Sequence, residues 1–219
     1  VESKADLNAF IALPKRLYSG HKGYTAPLDM ERREAFTPGK NPLFEHVEVR
    51  FFLARRAGRV VGRISAQIDR AHLERYDDST GHFGCLAAED DPSIFAALFA
   101  AAEAWLVAKG MKHVTGPFSL TVNEEVGLLI HGFDSRPVLM VPYDPPYAGP
   151  RVEACGYAKA KDVFSYDYDV QNAPETIGAK LLARGGLEGR VKVRTANMKM
   201  FDAEVRTLKA AHWPGGHVM

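Results

Sequence analysis

The fold of this chain turns on residues 81–110: Gly81-His82-Phe83-Gly84-Cys85-Leu86-Ala87-Ala88, then Glu89-Asp90-Asp91, then Pro92 through Lys109 and Gly110. Phe83, Cys85 and Ala87 alternate as one face of a strand. Asp91 is a good N-cap, and Pro92 suits the first helical position, where its missing N–H costs nothing. Ile94, Phe95, Leu98, Phe99, Ala102, Trp105 and Leu106 recur at helical spacing and make a wide apolar face. Lys109 and Gly110 close the helix as a last-turn cation and a C-terminal glycine. His113 to Pro117 follows as a short strand. Strand, helix and strand at this spacing predict a right-handed parallel crossover.

Before this unit, Val47 to Asp69 alternates as a hairpin. Val47, Val49, Phe51 and Leu53 form one arm, and Val60, Gly62, Ile64, Ala66 and Ile68 the other, with Ala57-Gly58 as the tight turn. Ser3-Lys4-Ala5-Asp6 resembles a capping box opening a first helix with Leu7, Phe10 and Ile11 on one face. Pro14 predicts a break and restart there, with Leu17 and Tyr18 extending the apolar face. Gly20 to Glu45 is a long Pro- and Gly-containing loop of the kind that often carries function.

After the crossover, residues 118–136 predict a loop or broken helix, and Val138 to Val141 a short extended segment. Asp144-Pro145 can start a helix ending near Gly156. Tyr157 to Val170 looks strand-like, with Phe164, Tyr166 and Tyr168 on one face. Gln171-Asn172-Ala173-Pro174 marks a boundary, dividing a domain at 1–170 from an extension at 171–219. The extension predicts a small helix to Arg184, a strand at Val191–Arg194 and a helix from Asp202 to about His212. Its apolar residues are too few to offset chain entropy alone. It is therefore expected to dock on the first domain, or to exchange between two chains and give a homodimer.

The 219 residues carry a formal net charge of +1, so no broad field favours nucleic acid or an anionic membrane. No apolar run reaches the roughly 18 residues needed to span a bilayer. The first residues lack a signal-peptide core, so a cytoplasmic location is expected. The absent initiator Met suggests a trimmed or partial chain. Cys85 and Cys155 form no CxxC pair, and the eight histidines show no HExxH spacing, so no metal site is expected.

The order helix, antiparallel hairpin, strand, long helix, strand, helix, strand resembles the GNAT (N-acetyltransferase) superfamily. Residues 7–170 are similar to a bacterial uncharacterised GNAT-like family with tandem units. The similarity rests on Leu13-Pro14 with Leu17-Tyr18, Lys40-Asn41-Pro42-Leu43-Phe44, Val61-Gly62-Arg63-Ile64-Ser65-Ala66, Gly81-His82-Phe83-Gly84 and Gly116-Pro117-Phe118. Asn123-Glu124-Glu125-Val126-Gly127-Leu128-Leu129, Gly132-Phe133-Asp134 and Gly156-Tyr157 with Asp162 complete it. Val191 to His212 looks like the first strand and helix of a second unit, most of which is missing here. The resemblance implies an α/β (α+β) fold with a mixed, mostly antiparallel sheet flanked by helices.

It also implies an acyl-CoA-dependent N-acyltransferase, using acetyl-CoA or another acyl-CoA and a small-molecule amine. The acyl-CoA would lie against Cys85, Leu86 and Ala87. The family's pyrophosphate pattern is absent after Ala88. Asp91 would occupy the helix amides instead, and Glu89 and Asp90 would repel phosphate. Glu124 and Glu125 are candidate general bases beside Asn123 as a substrate contact; the alternative is a solvated turn. Tyr147, the nearest counterpart of a thiolate-protonating tyrosine, is a candidate acid, or else a packed loop residue. His131 and Tyr143 are candidate substrate contacts, with structural roles as the alternative. Two other functions stay open: a catalytically inactive GNAT-like domain with a structural or dimerisation role, and, more distantly, a nucleotide pyrophosphohydrolase. The last would need carboxylate clusters for magnesium.

Overall fold

A computed structural model describes residues 1–135, 138, 140–166, 169, 171 and 194–212. The chain divides into two compact units, Val1–Val163 and Phe164–Met219. In the first, helix α1 (Lys4–Tyr18) and the short α2 (Asp29–Ala35) precede β1 (Val47–Arg56), β2 (Arg59–Asp69), α3 (Arg70–Tyr76) and β3 (Thr80–Ala88). Then come α4 (Pro92–Ala108), β4 (His113–Thr115), β5 (Phe118–Ser119), β6 (Glu125–Val126) and α5 (Ala148–Ala154). The main sheet has the order β1-β2-β3-β4, antiparallel except for the β3–β4 pair, and β5 and β6 form a small antiparallel sheet. This is an α/β architecture with a mixed, mostly antiparallel sheet flanked by helices, as the GNAT-like resemblance implies.

Local chemistry explains the main elements. Ala57 and Gly58 both take positive φ, 48° and 78°, the geometry that matches the twist of a two-residue hairpin. Asp91 caps α4 through the Ser93 N–H at 2.8 Å. Helix α4 lays Ile94, Phe95, Leu98, Phe99, Ala102 and Leu106 on one face of the sheet, against Ile64, Ala66, Ile68 and Phe83. On the opposite face, Phe10 and Ile11 of α1 pack with Phe36, Cys85 and Leu120.

Helix α1 runs unbroken through Pro14, against the predicted restart. Pro14 has no N–H for the Phe10 carbonyl one turn back. Arg63 of β2 supplies the missing donor, its Nη1 2.7 Å from Phe10 O. Tyr157 to Tyr166 forms no strand, contrary to the alternation there. Val163, Phe164 and Tyr166 are exposed, and among the described residues no strand pairs with this segment to satisfy its backbone. Tyr168 and Val170 lie outside the described residues. Val138, Met140 and Val141 also lie in no strand. Helix α5 begins at Ala148 rather than Asp144, because the Asp144 carboxylate accepts from Leu129 N–H at 3.0 Å instead of capping.

In the second unit, helix α6 (Phe201–His212) follows a 3-10 turn at Met198–Met200 capped by Asn197. Glu204 clasps Arg194 through two bonds of 2.7 and 2.9 Å. The helix to Arg184 and residues 191–193 of the expected strand lie outside the described residues. Among the described residues no helix is long and apolar enough to cross a membrane.

Candidate functional site

Successive strand residues face opposite ways, so the even apolar positions of β2 that meet α4 leave Arg63, Ser65 and Gln67 pointing to the α1 side. Ser65 and Gln67 are fully buried, at 0% and 1% exposure. Their polar groups are matched to each other and to a crossing segment. Ser65 Oγ donates to Gln67 Oε1 at 2.9 Å, and Gln67 Nε2 donates to Phe118 O at 2.6 Å and Leu120 O at 3.3 Å. The segment passes directly over Gly84, where a Cβ would stand 1.6 Å from Phe118 O. Beside it β3 bulges: Arg63 faces Ala87 while Ser65 faces Gly84, and Cys85 takes φ 48°. The Cys85 N–H donates to Ser119 Oγ at 3.2 Å. Gln67→Leu leaves the half-buried Phe118 carbonyl and the buried Leu120 carbonyl without their donor and is expected to cost about 1–3 kcal/mol. Chemical denaturation checks this; an unchanged midpoint would show that the amide holds nothing.

Next to this ladder lies a charged and aromatic cluster. Arg63 stacks over Phe10, its guanidinium 4.7 Å from the ring centre. Burial pulls the guanidinium down from its ordinary range. Arg32 of α2 pairs with Glu125 of β6, both half-buried. Asp144 is 6% exposed, and burial pushes its carboxyl up to about 7, with the Glu125 charge adding and the Leu129 N–H and Arg63 opposing. Tyr18, Tyr24 and Tyr143 form a triangle with ring centres 5.6 Å apart on each side. Burial raises all three hydroxyls, and Arg63 is the largest opposing influence at Tyr18 and Tyr24.

The sequence candidates fall in different places. Glu125 belongs to this cluster through Arg32 and its influence on Asp144. Tyr143 joins the tyrosine triangle, and its hydroxyl meets His21 Nδ1 at 2.7 Å. Tyr147 donates to Ala88 O at 2.7 Å, and burial pushes its hydroxyl up to about 12. Glu124 closes a turn by accepting from Leu120 N–H at 2.8 Å. Asn123 and His131 are exposed. Cys85 and Ala87 are buried, while Leu86 is half-buried against the α4 core. Arg63, Asp144, Arg32 and Tyr24 are functional candidates that sequence reasoning missed. The alternation Arg63, Ser65, Gln67 opposite an apolar stripe was the available signal for the first.

The acidic junction differs from its sequence reading in one respect. Each carboxylate has a cation: Glu89 meets Arg59 at 3.0 Å and Arg16 at 3.6 Å, Asp90 meets Arg151 at 2.8 Å, and Asp91 meets Arg56 at 2.8 Å. Three acids against four arginines do not make a phosphate-repelling field. A cavity of about 290 Å³ runs from Pro92 and Arg151 along α4 and α5, lined by Ala96, Phe99, Ala100 and Cys155. It lies on the far face of the sheet from the Arg63 cluster. Among the described residues no group of three or more His, Cys, Asp or Glu can hold a metal ion.

Fold and site together define an α/β unit with a mostly antiparallel sheet and a buried polar interior on the α1 side of that sheet. No protein-family model matches the chain. It is 50% identical over 209 residues to a protein of Caulobacter vibrioides (strain NA1000 / CB15N) named bacterial ceramide synthase, covering 95% of this chain and 54% of that protein. It is 42% identical over 207 residues to Protein YghO of Escherichia coli (strain K12), covering 94% of this chain and 53% of that protein. The chain thus spans about half the length of the curated relatives it matches. Among solved structures, an aminoglycoside acetyltransferase from an uncultured soil metagenomic sample, in complex with sisomicin, superposes with a TM-score of 0.43 at 15% identity. That match covers 76% of this chain and 89% of the other. The same enzyme with trehalose gives a TM-score of 0.44 at 14% identity.

Proposed function

We propose that this chain carries the acyl-transfer site of an N-acyltransferase that joins an acyl-CoA to a long-chain amino alcohol, forming a ceramide-type amide. The observation that carries this reading is the 50% identity to a protein named bacterial ceramide synthase, sustained over 95% of the chain. The residues fit an acyl-CoA in part. Arginines 16, 56, 59 and 151 gather cations at the β3–α4 junction. The amides at the start of α4 contribute less, because Asp91 occupies the Ser93 N–H.

The donor supplies a thioester carbonyl. Asp144, raised to about 7, is poised to take a proton from the incoming ammonium or amine as the C–N bond forms. In this scheme Arg63 supplies positive charge to offset what gathers on the carbonyl oxygen. Tyr147, held neutral across physiological pH, is a proton source for the thiolate released when the C–S bond breaks. Glu125 in this scheme orients Arg32 rather than acting as the base.

The capped α4 terminus favours a second reading, an inert unit that supports a partner unit. Incubation of the chain with palmitoyl-CoA and sphinganine separates the two. One amide formed per thiol released is the expected result. Absence of both products would overturn the enzyme reading in favour of the scaffold. Thiol release without amide would overturn it in favour of hydrolysis.

A further inference from the structure

Two buried polar side-chain atoms have no hydrogen-bond partner among the described residues: Arg63 Nε and the Tyr24 hydroxyl oxygen. Both belong to the cluster on the α1 side of the sheet. The helical role of Arg63 explains one of its N–H groups, since Nη1 replaces the donor that Pro14 lacks. It does not explain the charge, because a neutral amide would satisfy Phe10 O equally. Nor does it explain Nε. Among the described residues Arg63 makes no ion pair, while neighbouring Arg32 already holds Glu125. Arg63 is half-buried, but its Nε is withdrawn from water with no acceptor, and an ordered water would satisfy that N–H without matching the charge. An oxygen bearing negative charge, full or developing, would satisfy both.

The surroundings indicate what carries that oxygen. Phe10 lies beneath Arg63 as an apolar floor. Large apolar side chains stand exposed within a few residues of the cluster: Leu28 at 67% and Met30 at 70% beside Arg32, Val122 at 63% beside Glu125, and Ile130 at 59% next to the Leu129 that binds Asp144. Exposed apolar groups on the segments that carry the cluster, with a cation at its centre, suit a long aliphatic chain with an oxygen at its head.

We propose that Arg63 Nε–H and the Tyr24 hydroxyl form a binding site for the oxygen of a long-chain acyl group, held as a carboxylate or as a thioester carbonyl. The aliphatic part of this assignment rests on the acyl-transfer reading; the oxygen part rests on the unpaired groups alone.

Calorimetric titration of the whole chain with palmitate, with a thioether ketone analogue of palmitoyl-CoA, and with hexadecyl methyl sulfide, which has the chain but neither carbonyl nor amine, as a control tests it. Palmitate, the analogue, or both should bind, and the sulfide should not. Binding of palmitate alone would identify the free carboxylate as the ligand, and binding of the analogue alone the thioester carbonyl. Arg63→Gln removes the charge and is expected to weaken binding by about 10- to 100-fold. Tyr24→Phe should weaken it by about 5-fold while leaving the melting temperature unchanged, since the hydroxyl has no partner to lose. Should Arg63→Gln fail to fold, Tyr24→Phe decides alone. Binding no tighter than hexadecyl methyl sulfide, equal affinity in Tyr24→Phe, or a fall in its melting temperature would overturn the site. Because binding is read without turnover, failure of amide formation with palmitate still bound would sink the acyl-transfer reading and leave this site standing.

Discussion

Gly84→Ala is expected to cost the first unit at least ~3 kcal/mol, enough to bring a marginal fold near its threshold. The reason is local and steric. The new Cβ would meet Phe118 O at 1.6 Å and the Phe118 carbonyl carbon at 2.5 Å. Backbone cannot swing aside as a side-chain tip can. The segment 118–120 is also pinned by Gln67 and, through Ser119 Oγ, by the Cys85 N–H, so relief at Gly84 must break those hydrogen bonds. Gly149→Ala in α5 is the control. Its Cβ meets nothing within 4 Å, and alanine should stabilise the helix by about 0.5 kcal/mol. Denaturant unfolding of the two variants side by side checks the contrast. Equal midpoints would mean that the segment does not cross β3 as described.

Asp144→Asn should reshape the dependence of stability on pH. The folded carboxyl sits at about 7, above its ordinary 3.8, chiefly through burial. Between those values the unfolded chain is ionised and the folded one still holds its proton. Stability from this group is therefore full below about pH 4 and is lost as pH rises toward 7. Asparagine accepts the Leu129 N–H without ionising, so the variant should gain on wild type through that window, by about 4 kcal/mol at most. His82 acts in the opposite sense. Burial lowers it to about 4, with His72 adding, so its contribution is present above its ordinary 6.5 and lost as pH falls toward 4. In wild type the two slopes offset each other, and Asp144→Asn should expose the histidine slope. Melting curves at about pH 4.5, 6 and 8 follow both. A constant difference between variant and wild type across that range would rule out the raised carboxyl.

The elements legible in the sequence were those whose signals are local. The Ala57-Gly58 turn, the Asp91-Pro92 start of α4 and the apolar stripe of that helix each depend on residues a few positions apart. The elements that escaped depend on distant partners. Pro14 breaks a helix by local rules, yet Arg63, on a strand 49 positions later, repairs it. Asp144 has the sequence of a helix cap, but its amide partner is Leu129, behind it in the chain. Phe164 and Tyr166 alternate as strand residues should, but alternation does not supply a neighbouring strand. The candidate site was legible in the same uneven way. Glu125 and Tyr143 stand out as polar residues in otherwise apolar stretches. The Arg63-Ser65-Gln67 ladder lies on a strand whose apolar alternation masks the polar face opposite it.

Amide formation from palmitoyl-CoA and sphinganine, followed from about pH 5 to 9 in wild type and in Asp144→Asn, asks most directly whether this cluster does chemistry. A carboxylate acting as base from a buried position gives a wild-type rate that climbs through pH near 7 and levels above it. The asparagine variant should lose about 100-fold or more at the plateau, with its KM for palmitoyl-CoA little changed. Equal rates for the two proteins, or no amide from either at any pH, would contradict the assignment of acyl transfer to this site.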